Sequence, residues 1–478
     1  MKRLTIILFL FAAMGCKKSL EEDPKGQVVG ASALSSVEGL DAALAGAYKP
    51  LGHTFISGFM SAAVNAVLMG SDDLTTHPAS NKAEFREMDQ FNVSQNNSRM
   101  FQIWNGCYKS IQGANNIINN YKNTTGDANR IKQIAGEAYF LRAFDYFWLT
   151  RLWGAIPMIT SEKYVPEMLS IKKSTPAEIY ALIESDLLQA ESLMQDKKTE
   201  VGRASKGGAK MLLAEVYLTQ GGWPINNPAK YALAAAKAKE VIDNKTVYGF
   251  DLSTSLATLW SDLSSAKTNI EEVFALHACN TCAWYAGNSV FGNACMPSEE
   301  NGWDDYFSEL NFFNNFPAGV RKDVTFHTLI RGTIPWQNTV VKRPYYAKFR
   351  LPGGMNDWSS GATLPLIRYA QVLLIYAEAQ AQAESAPNTQ AYASINAIRS
   401  RAGLTALSGL SKADFINAVI NERAWEFAGE YTRWFDIVRL QILPQVNAGR
   451  DATENAVIGP VKYHLPIPGR DAQLNPNL

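Results

Sequence analysis

The segment at residues 133–160 constrains the fold of this chain more than any other part of the sequence. Large apolar side chains occupy most sides of a helix drawn through it, as in a helix buried among other helices. They include Tyr139, Phe140, Leu141, Phe144, Tyr146, Phe147, Trp148, Leu149, Leu152 and Trp153. Four charged residues, Glu137, Arg142, Asp145 and Arg151, interrupt it. Because charge at bilayer depth is costly, this helix is predicted to lie in a protein core and to end at Gly154 and Pro157.

Similar helices recur along the chain. Residues 36–49 and 99–121 are predicted to form an opening pair, and residues 177–193 are predicted to pair with the central helix. Two further pairs are residues 209–219 with 231–242, and residues 366–383 with 392–402. Three of these helices carry an acid beside small residues, namely Glu137, Glu215 and Glu378. Such units must stack to bury their apolar faces, so the predicted fold class is mainly all-α, a tetratricopeptide-type scaffold of residues 31–242 and 366–478.

Residues 243–365 separate the pair at residues 209–242 from the pair at residues 366–402 and have a different composition. They are rich in Gly, Pro, Asn, Trp and Tyr, and only residues 272–277 alternate weakly like a strand. The segment at residues 51–71 is uncharged, but its polar residues favour a loop and buried segment. Long irregular loops on a rigid frame are common binding regions, so residues 243–365 are predicted to form the loop-rich binding subregion.

The first residues predict export and lipidation. Lys2 and Arg3 precede an apolar run at residues 4–14, and small residues lead to Cys16. This pattern indicates a lipoprotein signal at residues 1–15, acylation (palmitate and related chains) at Cys16 and a tether at residues 16–30. The alternative is an ordinary secretory peptide with a chance cysteine.

Charge and motifs exclude several function classes. Lys plus Arg equals Asp plus Glu at 45 each, so the sequence lacks the basic excess that nucleic-acid binding needs. The sequence contains no G-x-S-x-G, H-E-x-x-H, Walker or dinucleotide-binding motif. No catalytic residue and no cofactor are therefore predicted.

The cysteines leave two alternatives open. Cys279, Cys282 and Cys295 lie near His277, a set that could hold zinc. In an exported protein a disulfide among the three cysteines is favoured over a metal, and no metal is predicted. Cys107 lies among apolar residues in a predicted helix and is interpreted as a buried thiol.

A dense charged run occupies residues 422–439. Its members are Glu422, Arg423, Glu426, Glu430, Arg433, Asp436 and Arg439. Their spacing of three or four residues predicts helix-surface ion pairs with a structural role. Paired carboxylates for glycoside hydrolysis are the alternative.

Loop aromatics beside polar residues suit sugar binding, because rings stack on pyranose C–H faces while amides and carboxylates bond hydroxyls. The candidate ligand-binding residues are Trp284, Tyr285, Trp303, Asp304, Tyr306, Trp336 and Asn338, with Asp72, Asp73 and His77 from an earlier loop. Core packing beneath a long loop is the alternative for each of them.

Six motifs in order after the lipidation signal resemble those of one family. They lie at residues 104–118, 137–157, 368–379, 398–404, 421–439 and 465–478. The chain resembles the SusD/RagB family of Bacteroidetes outer-membrane lipoproteins from Cys16 to Leu478. The resemblance implies a non-catalytic, surface-facing subunit that binds an oligosaccharide or another nutrient and passes it to a TonB-dependent, SusC-like β-barrel. The alternatives are a surface glycan hydrolase and a barrel lid that binds a peptide or another solute.

Overall fold

The computed structural model describes residues 33–52, 58–61, 63–163, 165–279, 291–350, 361–448, 450 and 462–478. Helices dominate these residues, so the predicted all-α class is confirmed. The first ten are α1 (Val37–Gly52), α2 (Ala63–Ala66), α3 (Ala83–Asp89), α4 (Ser98–Asn120), α5 (Ala128–Trp153), α6 (Pro176–Leu193), α7 (Lys206–Gly221), α8 (Ala229–Asp243), α9 (Lys245–Tyr248) and α10 (Leu256–Ser264). The others are α11 (Phe291–Ala294), α12 (Leu310–Asn315), α13 (Val320–Thr325), α14 (Tyr369–Ala383), α15 (Thr389–Arg401), α16 (Lys412–Glu426), α17 (Arg433–Leu440), α18 (Leu443–Asn447) and α19 (Gly469–Leu474).

The central helix α5 forms as the sequence predicts, but it begins earlier. The carboxylate of Asp127 caps it by accepting a hydrogen bond from the backbone N–H of Asn129 at 2.8 Å. Gly154 ends it with a φ of +73°, a conformation that glycine adopts without strain. Nearly every residue from Gln133 to Trp153 is buried, which is consistent with a core helix.

The predicted helix pairs are present. Helix α5 packs between α4 and α6, α4 packs on α1, and α7 packs on α8. Helix α8 also packs against α14, so the two halves of the scaffold form one stack across the long insertion. Small residues permit the close approaches: a Cβ on Gly136 would lie 2.5 Å from Cγ of Met194 at the end of α6.

The strands of the described residues are short and antiparallel. They are β1 (Leu74–Thr75), β2 (Ile156–Pro157), β3 (Lys173–Ser174), β4 (Glu272–Leu276), β5 (Phe307–Ser308), β6 (Phe326–His327), β7 (Leu329–Ile330), β8 (Ile334–Pro335), β9 (Tyr345–Tyr346) and β10 (Leu364–Arg368). They pair as β1–β5, β2–β3, β4–β10, β6–β9 and β7–β8. The predicted strand at residues 272–277 is therefore present as β4.

The prediction that residues 366–368 begin a helix is wrong. These residues belong to β10, which pairs with β4 in a register that sets Leu364 opposite Leu276. The helix α14 begins one residue later, where the Tyr369 N–H donates to the Glu271 carbonyl at 2.8 Å. Proline at 365 disfavours a helix through this point, and the β4 partner lies too far away in sequence for a local pattern to indicate it.

The described residues around 51–71 are buried, as predicted for this segment. Among all the described residues, no helix combines the length and the apolar character that crossing a bilayer requires. The predicted signal, Cys16 and the tether lie outside the described residues.

Asp145 is a fully buried acid in the middle of α5. Burial raises the pKa of its carboxyl well above the usual range, and the nearby Ser110 and Cys107 on α4 offset only part of the rise. Since the native state holds this proton more tightly than the unfolded chain does, the stability is greatest below the unfolded pKa of about 3.9 and falls as the pH rises above it.

The substitution Asp145→Asn should therefore make the protein more stable than wild type near neutral pH. The advantage should grow by up to about 1.4 kcal/mol per pH unit above about pH 4, until the native pKa is reached. Urea unfolding across about pH 4 to pH 7 measures this difference. The exposed Asp243→Asn variant serves as the control. A stability difference for Asp145→Asn that stays constant with pH would contradict the prediction.

Candidate functional site

Two segments that are far apart in sequence lie side by side through the β1–β5 pair. Leu74 stands opposite Ser308, and the Thr76 hydroxyl donates to the Asp305 carbonyl oxygen at 2.6 Å. Residues 74–89, 298–308 and 326–346 form a surface that we call the loop face. It carries six of the predicted site residues, namely His77 from the early loop and Trp303, Asp304, Tyr306, Trp336 and Asn338 from the insertion. Asp72 and Asp73 lie at its border, immediately before β1.

Trp303 has a fixed backbone. Its N–H donates to the Asn293 carbonyl oxygen at 3.0 Å, and its own carbonyl oxygen accepts from Nζ of Lys82 at 2.7 Å. The same ammonium forms a buried ion pair with Asp305. The preceding turn is tight, because a Cβ on Gly302 would lie 2.1 Å from the Met296 carbonyl oxygen. The half-buried indole of Trp303 is thus carried on a backbone that cannot shift freely.

Three predicted ligand contacts are buried instead. The Asp73 carboxylate accepts from the Ser71 hydroxyl at 2.5 Å and from the Gly429 N–H at 2.8 Å. Asp304 accepts from the Tyr345 hydroxyl at 2.8 Å. Tyr306 has no exposed surface. The polar groups of these residues are used, or enclosed, by the fold, which favours core packing beneath the loop, the alternative stated for each of them. Their role as ligand contacts stays a prediction.

Asp73 also has an unusual protonation equilibrium. Burial and the neighbouring charge of Asp72 raise the pKa of its carboxyl to about 6, although the hydrogen bonds from Ser71 and Gly429 favour the ionised form. Asp72 is half-buried, and it forms two hydrogen bonds with Arg433, at 2.6 Å to Nε and 2.7 Å to Nη2. Both carboxylates therefore connect this loop to α17 and the residues that precede it.

His77, Trp336 and Asn338 remain accessible. Nδ1 of His77 accepts from the Ala79 N–H at 2.9 Å, which leaves the proton of a neutral ring on Nε2. Trp336 is half-buried, and its ring meets Phe313 edge-on at a centroid distance of 5.9 Å. Asn338 is exposed. Trp336 and Trp303 stand on different loops.

Trp284, Tyr285 and Cys282 lie outside the described residues. Cys279 is disulfide-bonded, whereas Cys295 is a buried free thiol whose pKa burial raises to about 12. Cys295 is thus not part of the predicted disulfide.

Nε2 of His277 lies 3.0 Å from the Glu272 carboxylate. In the described parts of the chain, no three His, Cys, Asp or Glu residues are grouped as a metal site would need. Cys107 is a buried free thiol, as predicted.

The charged run at residues 422–439 is structural, but it does not lie on a helix surface. Its members are buried, and most pair with distant residues. Glu426 contacts Arg368 at 3.2 Å and Arg401 at 2.7 Å, and the pair of Arg439 with Asp436 is the one i,i+3 contact within the run itself. Spacing of three or four residues is common to exposed and buried helix faces, so it cannot distinguish the two.

Two family models match the chain. The one described as "SusD family" matches residues 334–478, and the one described as "Starch-binding associating with outer membrane" matches residues 21–218. The chain belongs to the SusD/RagB family. The resemblance drawn from six sequence motifs is confirmed.

Relatives of the SusD/RagB family match nearly the whole chain. SusD-like protein P2 of Formosa agariphila is 28% identical, over 100% of this chain and 98% of the relative. A SusD superfamily protein from Parabacteroides distasonis has a TM-score of 0.80 at 24% identity, covering 92% of this chain and 98% of its own. A laminarin binding SusD-like protein has a TM-score of 0.76 at 24% identity, with coverage of 92% and 98%. These structures share the fold.

Sequence reasoning missed one cleft of this SusD/RagB protein. A cavity of about 270 Å³ beside Asp72 is lined by rings and amides that include Phe312, Asn421 and Trp425. The run at residues 310–316, with three phenylalanines and three asparagines, carries the same ring-and-amide composition and could have indicated it. A larger cavity of about 590 Å³ lies between α4 and α19. The Trp104 indole in its wall is already packed against Tyr108 and Trp153.

Proposed function

We propose that this protein captures glycans at the cell surface without cleaving them, and that it passes them to a TonB-dependent, SusC-like barrel in the outer membrane. The observation that carries the proposal is the fixed Trp303 backbone on the loop face, which also carries His77. A half-buried indole on a fixed backbone offers a flat apolar surface without a large ordering cost on binding, and the imidazole of His77 on the same face offers a donor for a hydroxyl group.

The relatives support a saccharide as the ligand. One family model is described as starch-binding, and one similar structure is a laminarin binding protein. A lipid anchor at Cys16, facing the exterior of the outer membrane, fits the lipidation signal in the sequence and the family model's association with that membrane.

The carboxylates of the loop face support a non-catalytic role. Glycosidases need two acids free to face a sugar bond, one as proton donor and one as base or nucleophile. Here Asp305 is paired with Lys82, Asp304 accepts from Tyr345, and Glu300 contacts Arg350 at 2.9 Å. Each is engaged in holding a loop, which leaves these three unsuited to acid–base chemistry.

Removal of either accessible indole should weaken glycan binding. We expect Trp303→Ala and Trp336→Ala each to raise the dissociation constant for soluble starch or laminarin about tenfold. This factor corresponds to the loss of an aromatic contact that contributes about 1.4 kcal/mol to binding. Calorimetry against a polysaccharide panel that contains both glucans gives the measurement.

Trp223→Ala is the matched control, because Trp223 is also half-buried but packs on Tyr463 and His464 away from these segments. Unchanged polysaccharide binding in the Trp303→Ala, Trp336→Ala double variant would favour a peptide or another solute as the ligand. Release of reducing ends from a bound polysaccharide would instead identify a hydrolase.

A further inference from the structure

A second cleft lies beside the loop face, between α12, α16 and α18. Its volume is about 270 Å³, slightly below the range of about 300–1,000 Å³ that is typical of drug-sized ligands. It therefore has room for one sugar ring and not for a long oligosaccharide. We call it the Trp425 cleft. The lining residues that matter here are Asp72, Asn311, Phe312, Asn421, Trp425 and Arg433.

One wall of the Trp425 cleft presents a ring beside free amides. Trp425 and Asn421 are four residues apart on α16, so they share a face of that helix. Trp425 is half-buried, and Asn421 is exposed. Within the described chain, neither side chain has a hydrogen-bond or ring partner, and the amide of Gln445 on α18 is also unpaired. This wall thus offers one apolar face and several unused donors and acceptors.

The opposite wall repeats this chemistry on a rigid support. The half-buried Phe312 ring meets Phe316 at a centroid distance of 5.9 Å. The Asn315 amide donates to Oδ1 of Asn311 at 2.9 Å, which orients both amides and leaves the Asn311 N–H groups free. Nζ of Lys322 donates to the Phe313 carbonyl oxygen at 2.6 Å and so holds the end of α12. Little ordering is needed before a ligand binds between these walls.

The charges around the cleft are already paired. Asp72 accepts two hydrogen bonds from Arg433, and Glu309 accepts from Nε of Arg450 at 2.7 Å. Arg450 also pairs with Asp89. Three carboxylates thus accompany two guanidinium groups. An anionic ligand would be repelled by the net negative charge of these groups, and a cationic ligand would have to displace an arginine from its carboxylate. An uncharged ligand rich in hydroxyl groups meets neither cost.

We infer that the Trp425 cleft is a second saccharide site, which binds one uncharged hexose unit against Trp425 and Phe312, with its hydroxyls bonded to the amides of Asn421 and Asn311. This inference does not depend on glycan capture at the loop face. It assigns the cleft a ligand class from its rings, its unpaired amides and its already paired charges.

Saturation-transfer NMR on the full mature chain tests the inference, with methyl β-glucoside and methyl β-galactoside as neutral probes and sodium glucuronate as the anionic probe. We expect millimolar binding of a neutral hexoside and no binding of glucuronate. Trp425→Ala and Asn421→Ala should each weaken the neutral probe about tenfold. Trp425→Phe, which keeps a ring, should retain most of the affinity, and Trp223→Ala should retain all of it.

Asn421 is exposed, so its substitution tests the site even if Trp425→Ala reduces stability. The inference is overturned if no neutral hexoside binds, if the affinity is the same in Asn421→Ala and wild type, or if glucuronate binds as tightly as the neutral probes. Because these probes are single rings and these variants lie outside the loop face, either result is independent of the polysaccharide measurement.

Discussion

Replacement of Arg368 by methionine should lower the free energy of unfolding by about 3–5 kcal/mol, the cost of removing one partner from a buried ion pair. Arg368 is 1% exposed. Its Nε and Nη2 each donate to the Glu430 carboxylate at 2.8 Å, and its Nη1 contacts Glu271 and Glu426. Methionine would fill similar space but would leave three buried carboxylates with too few cations.

Acid should remove the same stabilisation in the wild type. Burial alone would raise the pKa of Glu426, but Arg401, Arg368 and Arg321 outweigh it and lower that pKa to about 2. A carboxyl with a depressed native pKa stabilises the fold fully above the unfolded pKa of about 4.3, and the contribution is lost as the pH falls toward about 2. In Arg368→Met the pKa of Glu426 is depressed less, so this variant should lose less stability between about pH 4.3 and pH 2 than wild type does.

Urea unfolding followed by tryptophan fluorescence measures both effects. Arg130→Met is the matched control: Arg130 also contacts two carboxylates, Asp41 at 2.7 Å and Glu200 at 3.2 Å, but it is 23% exposed. That change should cost at most about 1 kcal/mol. Arg368→Lys, which keeps the charge and loses the paired geometry, should fall between the two. Equal effects of Arg368→Met and Arg130→Met would show that burial of the network contributes little.

Phe274→Ala should cost a similar amount, about 3–5 kcal/mol, because it opens a cavity between the insertion and the scaffold. Phe274 lies on β4 and is 1% exposed. Its ring meets Phe140 at a centroid distance of 5.0 Å and Phe144 at 5.3 Å, both edge-on and both on α5. Edge-to-face pairs add about 0.5–1.5 kcal/mol each beyond the area that they bury.

The control for Phe274→Ala is Leu188→Ala on α6, where the side chain is 48% exposed. It should change the stability by no more than about 0.5 kcal/mol. Phe274→Leu, which leaves a smaller cavity, should cost less than alanine. If Phe274→Ala unfolds at the same urea concentration as Leu188→Ala, then β4 does not attach the insertion to α5 in the way that the ring contacts indicate.

Helix positions followed from the sequence because the burial of one helix face repeats every three or four residues and depends on near neighbours. The central helix, its end at Gly154 and the partner at α6 were predicted within a few residues. Single acids beside small residues were also visible in the sequence. Their partners were not: Glu378 accepts from Nη2 of Arg439 at 2.7 Å, and Glu137 accepts from the Tyr48 hydroxyl at 2.8 Å.

The loop face was harder to predict than the scaffold. Aromatic and polar composition selected the correct part of the chain, but it did not separate accessible groups such as Trp303 from buried ones such as Tyr306 and Asp73. In an irregular loop there is no periodicity to show which way a side chain points, so its exposure depends on contacts with segments more than two hundred residues away, as between Thr76 and Asp305.

By itself the sequence determined the all-α class, the paired helices and the family, because each of these depends on local apolar periodicity or on short motifs. Only the tertiary structure decided that the charges at residues 422–439 are buried, that residues 366–368 form part of a strand paired with β4, and that a ring-and-amide cleft forms beside Asp72. Those features arise where segments distant in sequence meet. They are stabilised by desolvated ion pairs and packed rings, and these contacts form only when the chain folds.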